Sequence, residues 1–177
     1  MVSILVMADG RFLVSDDATD EIFVVGRDGA VNIFTRQVNH PNGMALSLDG
    51  TTLYVAQMFK RINPNVTDGR IWQLPLVDGM IQGAPEVIAD LGDGAANDGL
   101  AVDRAGCIYI AAWRSGEIWR LDHGTRELTL IAEHMNGVAS LAFGRGEHDH
   151  QAIYATSTAS GVVWKVSVGI EGAPLNR

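Results

Sequence analysis

Four segments of the chain repeat the same order of short hydrophobic strands, and this repetition constrains the fold more than any other feature. The first strands read VSILV, NGMAL, DGLAV and ASLAF, starting at residues 2, 42, 98 and 139, which are 40, 56 and 41 residues apart. The second strands read RFLVS, TLYVA, CIYIA and AIYAT, and the third EIFVV, RIWQL, EIWRL and VVWKV. A period of about 40 residues with several strands per unit is typical of β-propeller blades.

The repeats predict a single all-β domain with four blades. Their approximate bounds are 1–38, 39–94, 95–136 and 137–177. Three of the blades have four strand-like segments, whereas the last has three. No long amphipathic helical pattern interrupts them, so the predicted class is an all-β propeller.

Composition excludes several function classes. The 177 residues carry a net charge of −8, whereas binding to nucleic acid needs basic patches that neutralise phosphate. No apolar run has the length of a membrane span, about 18 residues, so neither nucleic acid nor membrane is an expected partner. The opening MVSILV does not have the pattern of a signal peptide, and the single cysteine cannot form an internal disulfide. The compartment therefore stays open.

Two polar residues occupy equivalent positions at the starts of first strands. These are Asn42 and Asp98, and equivalent positions of successive blades converge on the propeller axis. An amide oxygen and a carboxylate suit a hard cation, so the pair predicts a divalent metal site for calcium, with magnesium or zinc as alternatives. Such a cation could polarise a carbonyl or acidify water. The competing interpretation is that Asn-Gly and Asp-Gly only form turns.

Four further residues follow the second strands of their blades and could line the mouth of the channel, where substrate would bind. An equally favoured interpretation is that they are loop residues that face water. They are Asp16, Gln57, Trp113 and Ser157. An insertion at Met58–Asp68 could act as a lid over that mouth. The triplet His148, Asp149 and His150 could bind zinc, but a solvated turn is the preferred interpretation.

Two motifs carry a resemblance to a known family. HPNGMALSLDGTTLYVA at His40–Ala56 and NDGLAVDRAGCIYIAAW at Asn97–Trp113 resemble the senescence marker protein/gluconolactonase/regucalcin-like family. The resemblance implies a six-bladed propeller with a divalent metal at the axis, Asn42 and Asp98 as ligands, and Asp98 as the catalytic residue. The family's glutamate ligand has no counterpart, so the four repeats look like a form without the N-terminal blades. We therefore expect an open arc of blades whose edges could form homo-oligomers.

The leading functional prediction is a metal-dependent hydrolase of the gluconolactonase type, acting on a small-molecule lactone or ester, and weak or inactive in this short form. The alternative is a non-catalytic β-propeller that serves as a binding or interaction module, because the propeller fold does not fix function. A third interpretation, a quinoprotein-like propeller, rests only on GRFLVSDD at Gly10–Asp17. A quinone site would need a basic cluster near the axis, and the sequence shows none.

Overall fold

The computed structural model describes residues 3–174, which form strands and turns without any α-helix. The strands of the first two blades are β1 (Ile4–Val6), β2 (Phe12–Asp16), β3 (Glu21–Val25), β4 (Val31–Thr35), β5 (Pro41–Leu46), β6 (Thr52–Gln57), β7 (Phe59–Arg61), β8 (Val66–Thr67), β9 (Arg70–Val77), β10 (Met80–Ile81) and β11 (Glu86–Asp90). Those of the last two are β12 (Asn97–Val102), β13 (Ile108–Ala112), β14 (Glu117–Leu121), β15 (Leu128–Ala132), β16 (Val138–Phe143), β17 (Ala152–Ser157) and β18 (Val163–Ser167).

The strands form four successive antiparallel sheets arranged as a β-propeller, so the predicted fold is confirmed. The sheets are β1–β4, β5–β6–β9–β11, β12–β15 and β16–β18, and the last has three strands. Strands β7 and β8 form a separate hairpin, and β10 pairs with β9. The first strand of each sheet lies innermost, because β5 contacts both β1 and β12, and β12 contacts β16.

Apolar side chains fill the spaces between neighbouring sheets in three clusters. Leu13 and Val55 belong to the cluster between the first two sheets, Ile71 and Ile110 to the next, and Ile118 and Ile153 to the last. One tryptophan packs against each cluster, at equivalent places in the third strands: Trp72, Trp119 and Trp164. These residues lie in the core because alternate side chains of a β-strand face the same side of the sheet.

The inner strands lie unusually close together, and glycine makes this approach possible. A side chain at Gly43 in β5 would overlap the carbonyl oxygen of Asp98 in β12. One blade further on, a Cβ at Gly99 would lie 2.5 Å from the carbonyl oxygen of Ala139 and 2.9 Å from the Cα of Ser140. Glycine within a strand often marks such a contact between backbones.

A cavity of about 600 Å³ lies between the inner strands of all four sheets. Its walls are mostly apolar and include Leu5, Met44, Leu100 and Leu141. Residues 3–174 contain no helix with the length and hydrophobicity that crossing a membrane would require.

Candidate functional site

The two axial residues predicted from the sequence lie on neighbouring inner strands. Asn42 is the second residue of β5 and Asp98 the second residue of β12, and each is almost fully buried. The contact between Gly43 and the backbone of Asp98 joins the two strands at this level. The equivalent residue in the last blade is Ala139 of β16, which is apolar. We call Asn42, Asp98 and Ala139 the axial positions.

The same local backbone places each axial residue. The pairing of the inner strand with its neighbour shifts register between Pro41 and Met44, between Asn97 and Leu100, and between Val138 and Leu141. Such bulges redirect a side chain and are frequent beside functional sites. Asn42-Gly43 and Asp98-Gly99 therefore lie inside bulged strands, which makes the interpretation of these pairs as turns wrong.

A residue with a left-handed backbone stands two positions before each axial residue. These residues are His40 (φ 45°), Ala96 (φ 51°) and Gly137 (φ 70°). Left-handed backbone is costly for residues other than glycine. The two residues that bear this cost precede the two polar axial positions, whereas glycine precedes the apolar one.

The side chain of Asn42 is held in one orientation. Its amide nitrogen Nδ2 lies 3.1 Å from Asp17 Oδ2, to which it donates, and 3.1 Å from the Met58 sulfur. The Ser15 hydroxyl donates to the backbone carbonyl of Asn42 at 2.6 Å. Because the nitrogen is engaged, the carbonyl oxygen Oδ1 is the atom that Asn42 can offer to a ligand.

Asp98 is a buried carboxyl with an unsatisfied oxygen. Its Oδ2 has no hydrogen-bond partner among the described residues. Burial, and secondarily the negative charge of Asp17, raise the pKa of Asp98 to about 7. A carboxylate in such surroundings is costly unless a positive charge compensates for it.

The residue beside Asp98 is also unsatisfied. Asn97 is fully buried, and neither its amide nitrogen nor its amide oxygen has a hydrogen-bond partner among residues 3–174. The equivalent residues in the neighbouring blades are apolar, Pro41 and Val138. Buried polar atoms are nearly always hydrogen-bonded, so this group of orphaned atoms is a place where a ligand or water would be stabilising.

The four residues predicted at the channel mouth have different surroundings. Asp16 is half-buried and caps the turn that follows β2, because its carboxylate accepts hydrogen bonds from Ala18 N and the Thr19 hydroxyl. Gln57 is buried, and its amide joins the Phe59 carbonyl to the Trp72 indole nitrogen.

The other two lie near the junction of the third and fourth sheets. The indole nitrogen of Trp113 donates to the Thr158 hydroxyl at 2.7 Å, and Ser157 Oγ donates to the Asn136 carbonyl at 2.8 Å. Each of the four thus has polar partners within the protein, and their role in substrate binding stays a prediction.

The insertion at Met58–Asp68 contains the hairpin β7–β8, closed by a hydrogen bond from Asp68 N to the Met58 carbonyl at 2.9 Å. Asp68 is buried and paired with Arg70, whose guanidinium lies over the ring of Trp72. In the His148–Asp149–His150 turn, the Asp149 carboxylate pairs with Lys165 and the ring of His148 packs against Tyr154.

Asp17 is the functional candidate that the sequence interpretation missed. It follows Asp16 at the end of β2, and it is buried, whereas Asp16 is not. The signal was present in the alternation of β2, because Leu13, Ser15 and Asp17 share the buried face. The repeat indicates Asp16 instead, because Asp16 ends the second strand of its blade, as Gln57 and Ser157 do in theirs.

The donor set near the axis fits a hard divalent cation. It comprises the Asp98 carboxylate with its orphaned oxygen, the carbonyl oxygen of Asn42, and the Asp17 carboxylate beside Asn42. The part of the chain that the structure describes has no group of three or more His, Cys, Asp or Glu residues suited to a metal. Oxygen ligands of this kind favour calcium or magnesium over zinc.

Solved structures with the same fold were found by comparison of coordinates. A gluconolactonase from Xanthomonas campestris is 20% identical, with a TM-score of 0.73 over 93% of this chain and 55% of that one. A calcium-binding protein, regucalcin, from Agrobacterium tumefaciens is 22% identical, with a TM-score of 0.72 over 99% and 64%. A virginiamycin B lyase from Staphylococcus aureus is 14% identical, with a TM-score of 0.62 over 94% and 55%.

At these identities the likeness establishes the fold, and the chain spans about 55 to 64% of the length of these structures. A comparison with curated protein sequences found no match. The sequence profile of the SMP-30/Gluconolactonase/LRE-like region matches residues 5–159, which is most of the chain and includes both polar axial positions. The chain therefore belongs to the SMP-30/gluconolactonase/LRE-like family.

Proposed function

We propose that the chain forms the metal site of a gluconolactonase-type hydrolase that acts on a lactone or related ester. One observation carries the proposal: the buried carboxylate of Asp98, with an orphaned oxygen, lies on the inner strand next to that of Asn42 in a propeller of this family. A buried charge without a partner is retained at a cost of several kcal/mol, about 3 or more. A cation that binds there removes this cost.

Asn42 and Asp98 would hold the cation, through an amide oxygen and a carboxylate. A bound divalent cation supplies electrophilic chemistry, by polarising a substrate carbonyl and making water more acidic. Asp98 is the catalytic residue in this proposal, because its carboxylate can accept a proton from the attacking water. Asn42 orients the site, since Asp17 and Ser15 fix its amide and its backbone carbonyl.

The apolar cavity and the channel-mouth residues complete the proposal. The inner strands that carry Asn42 and Asp98 continue into the cavity of about 600 Å³, which is lined by Met44 and Leu100. Substrate contacts by Gln57, Trp113, Asp16 and Ser157 are proposed at the other end of these strands, where the second strands end.

The test is hydrolysis of D-glucono-δ-lactone, followed by acid release at constant pH, with calcium, magnesium or zinc added to protein treated with a chelator. We expect slow hydrolysis that depends on the cation, stops with chelator, and falls at least about 100-fold in Asp98→Asn. Asp149→Asn is the matched control, because Asp149 lies in an exposed turn and pairs with Lys165. Equal rates with and without chelator would contradict the proposal.

A second expectation concerns the two ligands. Asp98→Asn removes a charge from the site, whereas Asn42→Asp adds one, so Asp98→Asn is expected to weaken calcium binding more. Calcium affinity depends strongly on ligand charge, and we expect a loss of about tenfold or more for Asp98→Asn. Isothermal titration calorimetry measures both. Equal affinities in the two variants and the wild type would show that these residues do not bind the cation.

The same measurements test the alternative of a binding module. Calcium binding without hydrolysis of any lactone or ester would favour a propeller that binds ligands without turning them over.

A further inference from the structure

Asp17 is a third oxygen donor near Asn42 and Asp98, and it belongs to a different blade. Asp17 follows β2 of the first sheet, whereas Asn42 and Asp98 belong to the second and third. The alternation of β2 turns Ser15 and Asp17 to the same buried side, and both contact Asn42. Residues at the end of β2 therefore hold both the side chain and the backbone carbonyl of Asn42.

The contact with Asn42 leaves the oxygen of that amide available. Asp17 Oδ2 and the Met58 sulfur both occupy the side of the amide nitrogen. The carbonyl oxygen of Asn42 lies on the other side of the amide. A carboxylate that accepts from an amide nitrogen selects the flip state of the amide, so the Asn42 oxygen remains as the atom that can bind a cation.

A second observation points to a ligand at this place. Asp98 is 2% exposed, and its Oδ2 has no hydrogen-bond partner; the adjacent Asn97 is 0% exposed and lacks partners at both amide atoms. A buried polar atom without a partner destabilises the folded state. The strand that bears these atoms touches the strand of Asn42 through Gly43. The orphaned oxygen and the Asn42–Asp17 pair thus belong to one region of the axis.

The chemistry of the group selects the kind of ligand. The Asp17 and Asp98 carboxylates and the Asn42 amide oxygen are acceptors, which a cation satisfies and an anion or an apolar molecule does not. The orphaned amide nitrogen of Asn97 is a donor, and a water bound to the cation can accept from it. The two negative charges of Asp17 and Asp98 match the charge of a divalent ion. With Asp98 alone, a calcium ion would have one charged protein ligand, which is typical of weak sites.

We propose that Asp17 is a direct ligand of the divalent cation, the third protein ligand beside Asn42 and Asp98. This inference rests on the proposed function, since it concerns the same site. In this chain the first blade thereby supplies a negative charge from the end of its second strand, and the other two blades supply ligands from their inner strands.

The test compares Asp17 with its neighbour Asp16, which has the same charge but whose carboxylate caps the turn after β2 and makes no contact with Asn42 that the hydrogen bonds show. Calcium is titrated by calorimetry into wild type, Asp17→Asn and Asp16→Asn. We expect at least about tenfold weaker binding in Asp17→Asn, because one charged ligand is lost, and a change of less than about twofold in Asp16→Asn. Far-ultraviolet circular dichroism checks that each variant is folded.

A second measurement separates a direct ligand from a nearby charge. Europium(III) replaces calcium, and its luminescence lifetime in water and heavy water counts the water molecules bound to the ion. Asp17→Ala removes the ligand oxygens, so we expect about one more bound water than in the wild type, and no change in Asp16→Ala. This variant also serves if Asp17→Asn does not fold.

The outcomes distinguish this inference from the proposed function. If the wild type binds neither calcium nor europium, the metal site itself is wrong and this inference falls with it. If the wild type binds and Asp17→Asn keeps its affinity, or Asp17→Ala leaves the count of bound water unchanged, Asp17 is not a ligand while Asn42 and Asp98 can still be. The rate of lactone hydrolysis does not enter either comparison.

Discussion

Replacing Gly43 with alanine is expected to lower the free energy of unfolding by about 3 kcal/mol or more, a large effect for a single methyl group. The added Cβ would overlap the carbonyl oxygen of Asp98 and lie 2.9 Å from the backbone nitrogen of Leu100. Both neighbours are backbone atoms of a paired strand, so neither can turn away as a flexible side chain would. Urea unfolding followed by tryptophan fluorescence measures the change.

Gly94→Ala is the matched control, because a Cβ at Gly94 meets no atom within 4 Å and its backbone is not left-handed. We expect it to be neutral or slightly stabilising. Gly43→Ala is also expected to weaken calcium binding, since separating β5 from β12 separates Asn42 from Asp98. A stability of Gly43→Ala equal to that of Gly94→Ala would show that the inner strands are farther apart than described.

The second large effect is a dependence of both stability and calcium affinity on the ionisation of Asp98. Its pKa is about 7 in the folded, metal-free protein, and ordinary aspartate in the unfolded chain has a pKa of about 3.9. Between these values the folded state binds the proton and the unfolded state does not. The Asp98 carboxyl therefore makes its full contribution to the free energy of unfolding below pH 4. This contribution falls by roughly 4 kcal/mol as the pH rises to 7.

Asp98→Asn isolates this contribution, because asparagine resembles the protonated carboxyl and does not titrate. The stability of Asp98→Asn relative to wild type, both without metal, should be close to zero near pH 4 and rise to roughly 4 kcal/mol at pH 8. A difference that is constant across this range would contradict the raised pKa.

Calcium bound at the proposed site should reverse the effect, because a cation would bind the carboxylate form of Asp98. Below pH 7 the apparent affinity of the wild type is expected to fall about tenfold per pH unit, with release of about one proton on binding. Calorimetry in buffers with different ionisation enthalpies counts that proton. An affinity that does not change between pH 5 and pH 7 would place the cation away from Asp98.

The repeats in the sequence predicted the fold because each blade makes its own local pairing. Strands such as TLYVA and CIYIA alternate between two faces, and the structure pairs each with its neighbour along the chain. The axial positions of Asn42 and Asp98 follow from the same periodicity. Their location in inner strands could therefore be predicted without knowledge of the contacts between blades.

The rest of the site depends on contacts between blades, which the repeat does not encode. Asp17 belongs to the blade before Asn42, and only the packing of the first sheet on the second brings them within 3.1 Å. The role of Gly43 is hidden for the same reason. The Asn42-Gly43 dipeptide is typical of a turn. In the structure, however, Gly43 has no side chain that would keep the backbone of β12 at a distance.

The distribution of the site over several sheets has a mechanical consequence. A modular array can open one unit at a time, because each unit contacts only its neighbours. In the proposed site, a single ion shared by Asn42 and Asp98 would connect the second and third sheets, so that neither could detach without releasing it. The last sheet, with Ala139 at its axial position, has no such fastening. In hydrogen exchange, calcium should slow the amides of β5 and β12 together and leave those of β18 unaffected.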